Sequence, residues 1–216
     1  MTRMLSALAV LAFLPPVLAE DEVVGSGKIT TETRELAEFD AIELRTAADV
    51  HVKIGKPTPL KVESDDNILP LIKTEVREGR LVISSNSKFR SKHGVDFKVT
   101  VANLKAVEIQ GAGDMHVHGL DNKSFSVDVS GAGDVHASGK TEQLAVDICG
   151  AGDVLAFGLK ARAASVSIKG AGDAKVSVDK SLNIVIVGAG DVHYKGDPKV
   201  HKVISGSGDV KRVKSK

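Results

Sequence analysis

The sequence has 216 residues, of which 42% are hydrophobic, 3% aromatic and 26% charged, with one cysteine and no tryptophan. A single cysteine cannot form an internal disulfide, so packing must stabilise the fold. Of the 29 basic residues, Arg3 lies in the first nineteen positions, and without it 28 basic residues balance 28 acidic ones. This balance argues against a nucleic-acid-binding protein, which would carry a net basic surface.

The N-terminal segment MTRMLSALAVLAFLPPVLA has the pattern of a secretory signal peptide. Arg3 precedes an apolar stretch that is too short to span a bilayer, and the small-residue end Val17-Leu18-Ala19 precedes Glu20. The alternative is a buried N-terminal helix or strand. The pattern predicts a signal peptide over residues 1–19, a new N-terminus at Glu20, and an exported protein, periplasmic, cell-surface or extracellular, with no membrane span.

A short repeat organises the rest of the chain. Its copies are 18 to 20 residues apart, and a degenerate copy, TAAD, ends at Asp49. Fixed periods of this length are typical of solenoids. GAGD ends at Asp114, Asp134, Asp153, Asp173 and Asp191, and the near copy GSGD ends at Asp209.

Apolar and polar residues alternate on both sides of each GAGD. Phe125, Val127 and Val129 precede one copy, and Val135 and Ala137 follow it. Alternation with period two indicates strands that bury one face. We therefore predict an all-β fold, a right-handed parallel β-helix (β-solenoid) with 18–20-residue rungs and GAGD corners. Rungs spaced ~4.8 Å apart would number about ten in a chain of this length.

Residues 52–101 depart from the regular repeat. Strands are predicted at 60–63, 72–76, 80–84 and 96–101, with Glu78-Gly79 as a tight turn and 84–94 as a basic loop. We expect irregular rungs or a hairpin against the first rungs, within a single domain that spans 20–216 and has its regular GAGD repeats at 102–213.

The tetrapeptide GAGD has several possible functions. A dinucleotide loop needs a third glycine and a following helix, and the P-loop-like Gly133 to Thr141 has one residue too many between its glycines. Calcium-binding repeats need acids in tandem nonapeptides, whereas the aspartate of GAGD recurs only once in 18 to 20 residues. A corner explains all four residues: glycine permits φ > 0, alanine fits where the corner points inward, and aspartate accepts hydrogen bonds from the turn.

Several segments resemble a known family. VGSG at 24–27, FDAIEL at 39–44, LKVESDDNILP at 60–70 and GRLVI at 79–83, together with GAGD, are similar to the putative auto-transporter adhesin, head GIN domain family. The resemblance covers nearly the whole chain after residue 19. It implies an exported bacterial right-handed β-solenoid with an adhesin-like function and no agreed catalytic residues.

Stacked rungs would align side chains in columns. The position two residues after each corner aspartate holds His51, His116 and His136, then Leu155 and Lys175. Imidazole and carboxylate at this spacing can hold Zn²⁺ or Cu²⁺, so His116, His136, Asp114 and Asp134 form a candidate metal site. The alternative is an exposed column that tolerates any polar residue, as Leu155 and Lys175 indicate.

A second column would place Glu108, Asp128 and Asp147 on successive rungs, where like charges cost stability unless a cation or solvent screens them.

The sequence leaves three classes of function open. The first is a non-catalytic envelope protein, adhesin-like or scaffolding, that binds a cell-surface polymer or protein along a flat ladder face. The others are a periplasmic metal-binding protein and a polysaccharide-acting enzyme on a β-helix. The enzyme is disfavoured because the sequence has one tyrosine and no tryptophan to stack on sugars, so we expect no catalytic residues and no cofactor.

Overall fold

The computed structural model describes residues 22–214, so the predicted signal peptide lies outside the described residues. Within this range almost all regular structure is β-strand, with a 3₁₀ turn at Leu69–Leu71. The strands are β1 (Val23–Val24), β2 (Ile29–Arg34), β3 (Ala41–Leu44), β4 (Asp49–Ile54), β5 (Leu60–Asp65), β6 (Ile72–Arg77), β7 (Arg80–Ser85), β8 (Phe89–Arg90), β9 (Asp96–Val101), β10 (Ala106–Ile109), β11 (Met115–Val129), β12 (Val135–Ile148), β13 (Val154–Ile168), β14 (Ala174–Gly188), β15 (Val192–Lys195), β16 (Lys199–Gly206) and β17 (Val210–Arg212).

The strands stack as the parallel coils of a β-solenoid, which confirms the predicted fold class. Each long strand from β11 to β14 begins after one corner and continues almost to the next. Its first residues pair on what we call the post-corner face, and its last residues pair on the pre-corner face: Met115 pairs with Val50 of β4, and Val127 pairs with Val107 of β10. The alternating apolar residues of both faces point inward and form one core.

The irregular segment supplies both extra coils and capping strands. β7 pairs in parallel with β3, and β9 pairs in parallel with β4. On their other sides β3 pairs with β10 and β4 with β11. The coil of residues 41–54 therefore lies between the coil that contains β7 and β9 and the first of the regular repeats. β6 forms an antiparallel hairpin with β7, while β5 pairs antiparallel with β9 and β2 pairs antiparallel with β5. Glu78 and Gly79 form the hairpin turn with φ of 51° and 74°. These pairings confirm the strands and the turn that were predicted between residues 52 and 101.

Two expectations about this region and the length of the solenoid were wrong. The solenoid has about five turns, against the ten expected, because part of the first hundred residues forms capping strands. The loop at 84–94 also contains β8, which pairs with β1.

Strand β16 forms the last pre-corner strand of the described coils. Within residues 22–214 it pairs with β14 alone, and all eight of its residues are exposed. Lys202 occupies the position that Ile184 fills in the preceding coil. A charge at an inward position is one of the features that keep an edge strand from pairing with another chain.

The corner glycines are needed because the coils approach closely there, and only two of them have a positive φ. A Cβ on Gly133 would lie 1.9 Å from the carbonyl oxygen of Gly113, and one on Gly152 would lie 2.1 Å from that of Gly133. Positive φ occurs in the first glycine of the last two corners, Gly188 and Gly206. The predicted conformational reason is therefore wrong for Gly133 and Gly152, where the constraint is contact with the coil below.

The alanine of the corner also differs from the prediction. Ala132 is exposed, whereas the following Gly133 is buried against the coil below. The inward position of the corner thus tolerates no side chain at all, and alanine occupies the outward one.

We expect Gly133→Val to lower the free energy of unfolding by at least about 1–3 kcal/mol, because its side chain would push against backbone that cannot move away. The matched control is Ala132→Val, which adds the same type of side chain at the adjacent exposed position and should change stability little. Urea unfolding of both variants measures the difference. Equal losses would contradict the close-approach explanation.

Candidate functional site

The corner aspartates form a continuous hydrogen-bonded ladder along the solenoid. The backbone N–H of Asp134 donates to Oδ1 of Asp114 at 2.9 Å, and that of Asp153 donates to Oδ1 of Asp134 at 2.8 Å. The ladder starts at Asp49, the degenerate copy, and ends at Asp209. From Asp49 to Asp191, each carboxylate therefore joins its corner to the next coil and does not close its own turn as predicted. Only at the last of the described corners does Oδ1 of Asp209 accept a hydrogen bond from its own turn, from the N–H of Val210 at 2.7 Å.

This ladder uses one oxygen of Asp114 and one of Asp134, the two carboxylates of the candidate metal site. The same role recurs in every regular coil, whereas an active site needs a unique arrangement. The aspartates consequently have a structural function that accounts for their repetition.

The histidine column forms as expected. Ring centroids of His51 and His116 are 4.8 Å apart with planes at 7°, and those of His116 and His136 are 4.6 Å apart at 25°. The His51 imidazole also contacts Asp96, with Nε2 to Oδ2 at 3.3 Å. His118 lies beside the column, with Nδ1 3.1 Å from Oγ of Ser138.

Stacked rings place their nitrogen lone pairs in parallel planes, so His116 and His136 do not point at a common atom between them. Within residues 22–214, no group of three or more histidine, cysteine, aspartate or glutamate side chains is arranged to hold a metal ion. Metal binding by His116, His136, Asp114 and Asp134 would need the rings to rotate, and it stays a prediction.

Burial lowers the pKa of His116, and the neighbouring His136 and His51 lower it further. The carboxylates of Asp114 and Asp49 act in the opposite direction and are weaker. The lowered pKa means that His116 resists protonation, because burial and then an imidazole on each side disfavour its charged form.

The acidic column on the pre-corner face is longer than predicted. Glu43, Glu108, Asp128 and Asp147 are direct neighbours in register. The sequence carried a signal for Glu43, because it precedes the Asp49 corner by the same six residues that separate Glu108 from Asp114.

Side chains of the protein itself offset charge at one end of this column. Arg80 Nη1 donates to Glu108 at 2.9 Å, Gln110 Nε2 donates to Glu43 at 3.1 Å, and Arg45 pairs with Glu43. Asp128, further along, has its pKa raised by burial and then by the charges of Glu108 and of Asp147.

Two clefts adjoin the N-terminal coils. The larger, about 650 Å³, has apolar walls that include Leu36 and Phe39, and its acidic lining residues are Glu35, Glu38, Asp40 and Glu78. The smaller, about 520 Å³, opens on the post-corner face next to the histidine column. They share the wall formed by residues 58–59 and 99–100.

The aspartate ladder leads to a stability prediction. Asp134→Ala removes the acceptor of the Asp153 N–H, and we expect a loss of about 1–2 kcal/mol in the free energy of unfolding. Asp134→Asn retains an oxygen acceptor, so it should lose less than half as much. Urea unfolding at neutral pH compares the two variants. An asparagine variant as unstable as the alanine variant would indicate that the hydrogen bond is unimportant.

The acidic column leads to a pH-dependent prediction. A raised pKa means that folded Asp128 holds its proton more tightly than the unfolded chain does, so its ionisation destabilises the fold as the pH rises. We expect Asp128→Asn to raise Tm at pH 7, and the gain to disappear below about pH 3.9, where aspartate is protonated in both states. The exposed Asp121→Asn is the control. A gain that persists at low pH would contradict the electrostatic cause.

Comparison with known proteins agrees with this architecture. A crystal structure of a putative adhesin from Bacteroides fragilis is 24% identical, covers 88% of this chain and 100% of its own, and superposes with a TM-score of 0.72. A putative adhesin from Parabacteroides merdae is 20% identical over 90% of this chain and all of its own, with a TM-score of 0.55. A putative lipid binding protein from Parabacteroides distasonis is 23% identical over 89% of this chain and all of its own, with a TM-score of 0.53.

These likenesses show the shared fold. No curated protein matches the sequence. In residues 22–214, no helix has the length and apolar character required to cross a bilayer.

Residues 38–198 match the family described as putative auto-transporter adhesin, head GIN domain. Because the match spans most of the sequence, the chain belongs to that family, as the resemblance of its motifs predicted.

Proposed function

We propose that this protein is a non-catalytic, exported envelope protein that acts as an adhesin-like or scaffold module and binds a polymer or partner along a flat ladder face. The observation that supports the proposal is the register of the coils. Outward side chains repeat in straight columns from one coil to the next, on both the post-corner and the pre-corner face.

Repeated columns suit a repeated ligand better than a reaction. A polymer or an extended partner can make the same contact on several coils, and such contacts add together as one bivalent or multivalent interaction. Catalysis instead needs one nucleophile, acid or base in a distinct environment. The corner aspartates share one hydrogen-bonded arrangement, which supports binding over turnover.

Family membership supports the same function. The family description names an adhesin, and the structural relatives from Bacteroides fragilis and Parabacteroides merdae are called putative adhesins. The N-terminal pattern of residues 1–19 adds an export route to the periplasm or cell surface.

The test uses the mature chain, residues 20–216, incubated with envelope material from bacteria. We expect saturable co-sedimentation of the protein with the envelope fraction and no release of soluble fragments from it. A heat-unfolded sample of the same protein is the control, because its columns are lost. Absence of binding over a range of salt and pH, or steady release of polymer fragments, would contradict the proposal.

A further inference from the structure

A row of basic side chains runs along the post-corner face and begins at its N-terminal end. The register pairs Lys61 of β5 with Lys98 of β9, and Lys98 with His51 of β4. His51 pairs with His116 and His116 with His136, so five consecutive neighbours are basic. We call Lys61, Lys98, His51, His116 and His136, continued by Lys175, His193 and Lys211 beyond Leu155, the basic row.

This arrangement is unfavourable for the isolated protein. Like charges directly opposite each other on neighbouring strands are destabilising, and here the ammonium groups of Lys61 and Lys98 occupy paired positions. The aspartate ladder flanks the row on one side and offsets part of the charge. At its N-terminal end Asp96 contacts both Lys98, at 3.1 Å, and His51, at 3.3 Å.

The other flank of the basic row carries no acid at this end. The positions there are Thr100, Lys53, His118 and Ser138, and Lys53 pairs directly with His118. Among the ion pairs of residues 22–214, none involves Lys53 or Lys61. Positive charge is therefore in excess on the side away from the aspartates.

The smaller cleft opens at this position. Every titratable side chain that lines it is basic, and its remaining walls are Val52, Thr58, Pro59, Val99 and Thr100. A concave site in which basic groups converge raises the local concentration of anions. The basic lining consists of His51, Lys53, Lys61, Lys98 and His118.

We infer that this basic cleft and the basic row bind a linear acidic polysaccharide, with one carboxylate in the cleft and later acidic groups along the row. The inference rests on the proposed function and names its ligand class. Charges in single file, one strand spacing (~4.8 Å) apart, match a polymer that carries acids along one axis. A membrane surface presents charge in a plane, whereas this row is a single file. Single-stranded nucleic acid would use aromatic platforms, but Tyr194 is in register with the inward Val176 and the Phe157 ring is covered by the ammonium group of Lys195.

The experiment measures binding of the mature chain to polygalacturonate, a linear polyuronate, by calorimetry at low salt. The binding variant is Lys53→Gln/Lys61→Gln/Lys98→Gln. The control is Lys73→Gln/Lys123→Gln/Lys180→Gln, which removes the same charge from exposed lysines outside the cleft. We expect wild type and control to bind alike and the cleft variant to lose about tenfold or more in affinity. Thermal unfolding confirms that both variants are folded.

Two further arms separate the other ligands. Neutral dextran should not bind, and vesicles of anionic phospholipid should bind more weakly than polygalacturonate.

The outcomes distinguish this inference from the proposed function. Equal affinity of the cleft variant and the control, equal binding of dextran, or a preference for vesicles would overturn the acidic-polysaccharide inference. If wild type still co-sediments with envelope material in any of these cases, the proposed function stands. Loss of envelope binding by wild type would contradict the function itself.

Discussion

The structure depends on the close stacking of one coil on the next at the corners. The carbonyl oxygen of Gly113 lies 1.9 Å from the position that a Cβ of Gly133 would take, and the same relation recurs at 2.1 Å between Gly133 and Gly152. Removing the side chain allows the backbones to approach closely enough for Asp134 to accept a hydrogen bond from the N–H of Asp153. Each corner therefore determines the position of the next, and the columns of both faces follow from that register.

Regular stacking has an electrostatic consequence. Any residue type that recurs at one position of the repeat is brought within one strand spacing of its equivalents, so charges accumulate in rows. The protein offsets the acidic column with Arg45, Arg80 and Gln110 at one end. The basic row is flanked by the aspartates on one side alone, which leaves it able to attract an anionic partner.

Function in such a fold is spread along a face. A solenoid cannot easily build one unique pocket from identical coils, but its irregular coils can, and the two clefts lie at the end where β5 and β9 break the parallel order. The cleft that joins the basic row thus combines a local concave site with a periodic surface. This combination fits a polymeric ligand whose end or branch binds in the cleft and whose chain lies along the coils.

The sequence by itself determined the β-solenoid, its corners and the contacts between regular coils. The alternation around GAGD and its near-constant spacing leave one register in which Val127 and Val146 are buried together, and the pairing of His116 with His136 follows from it. The tertiary structure alone decided how residues 22–101 pack. The coil of 41–54 lies between segments distant in sequence, and no period relates β5 to β9, so the pairing of Lys61 with Lys98 depends on which apolar faces pack together. The close approach at Gly133 likewise could not be predicted from the sequence. The repeat indicates that a glycine is required there, but it does not show whether the backbone conformation or a neighbouring backbone requires it.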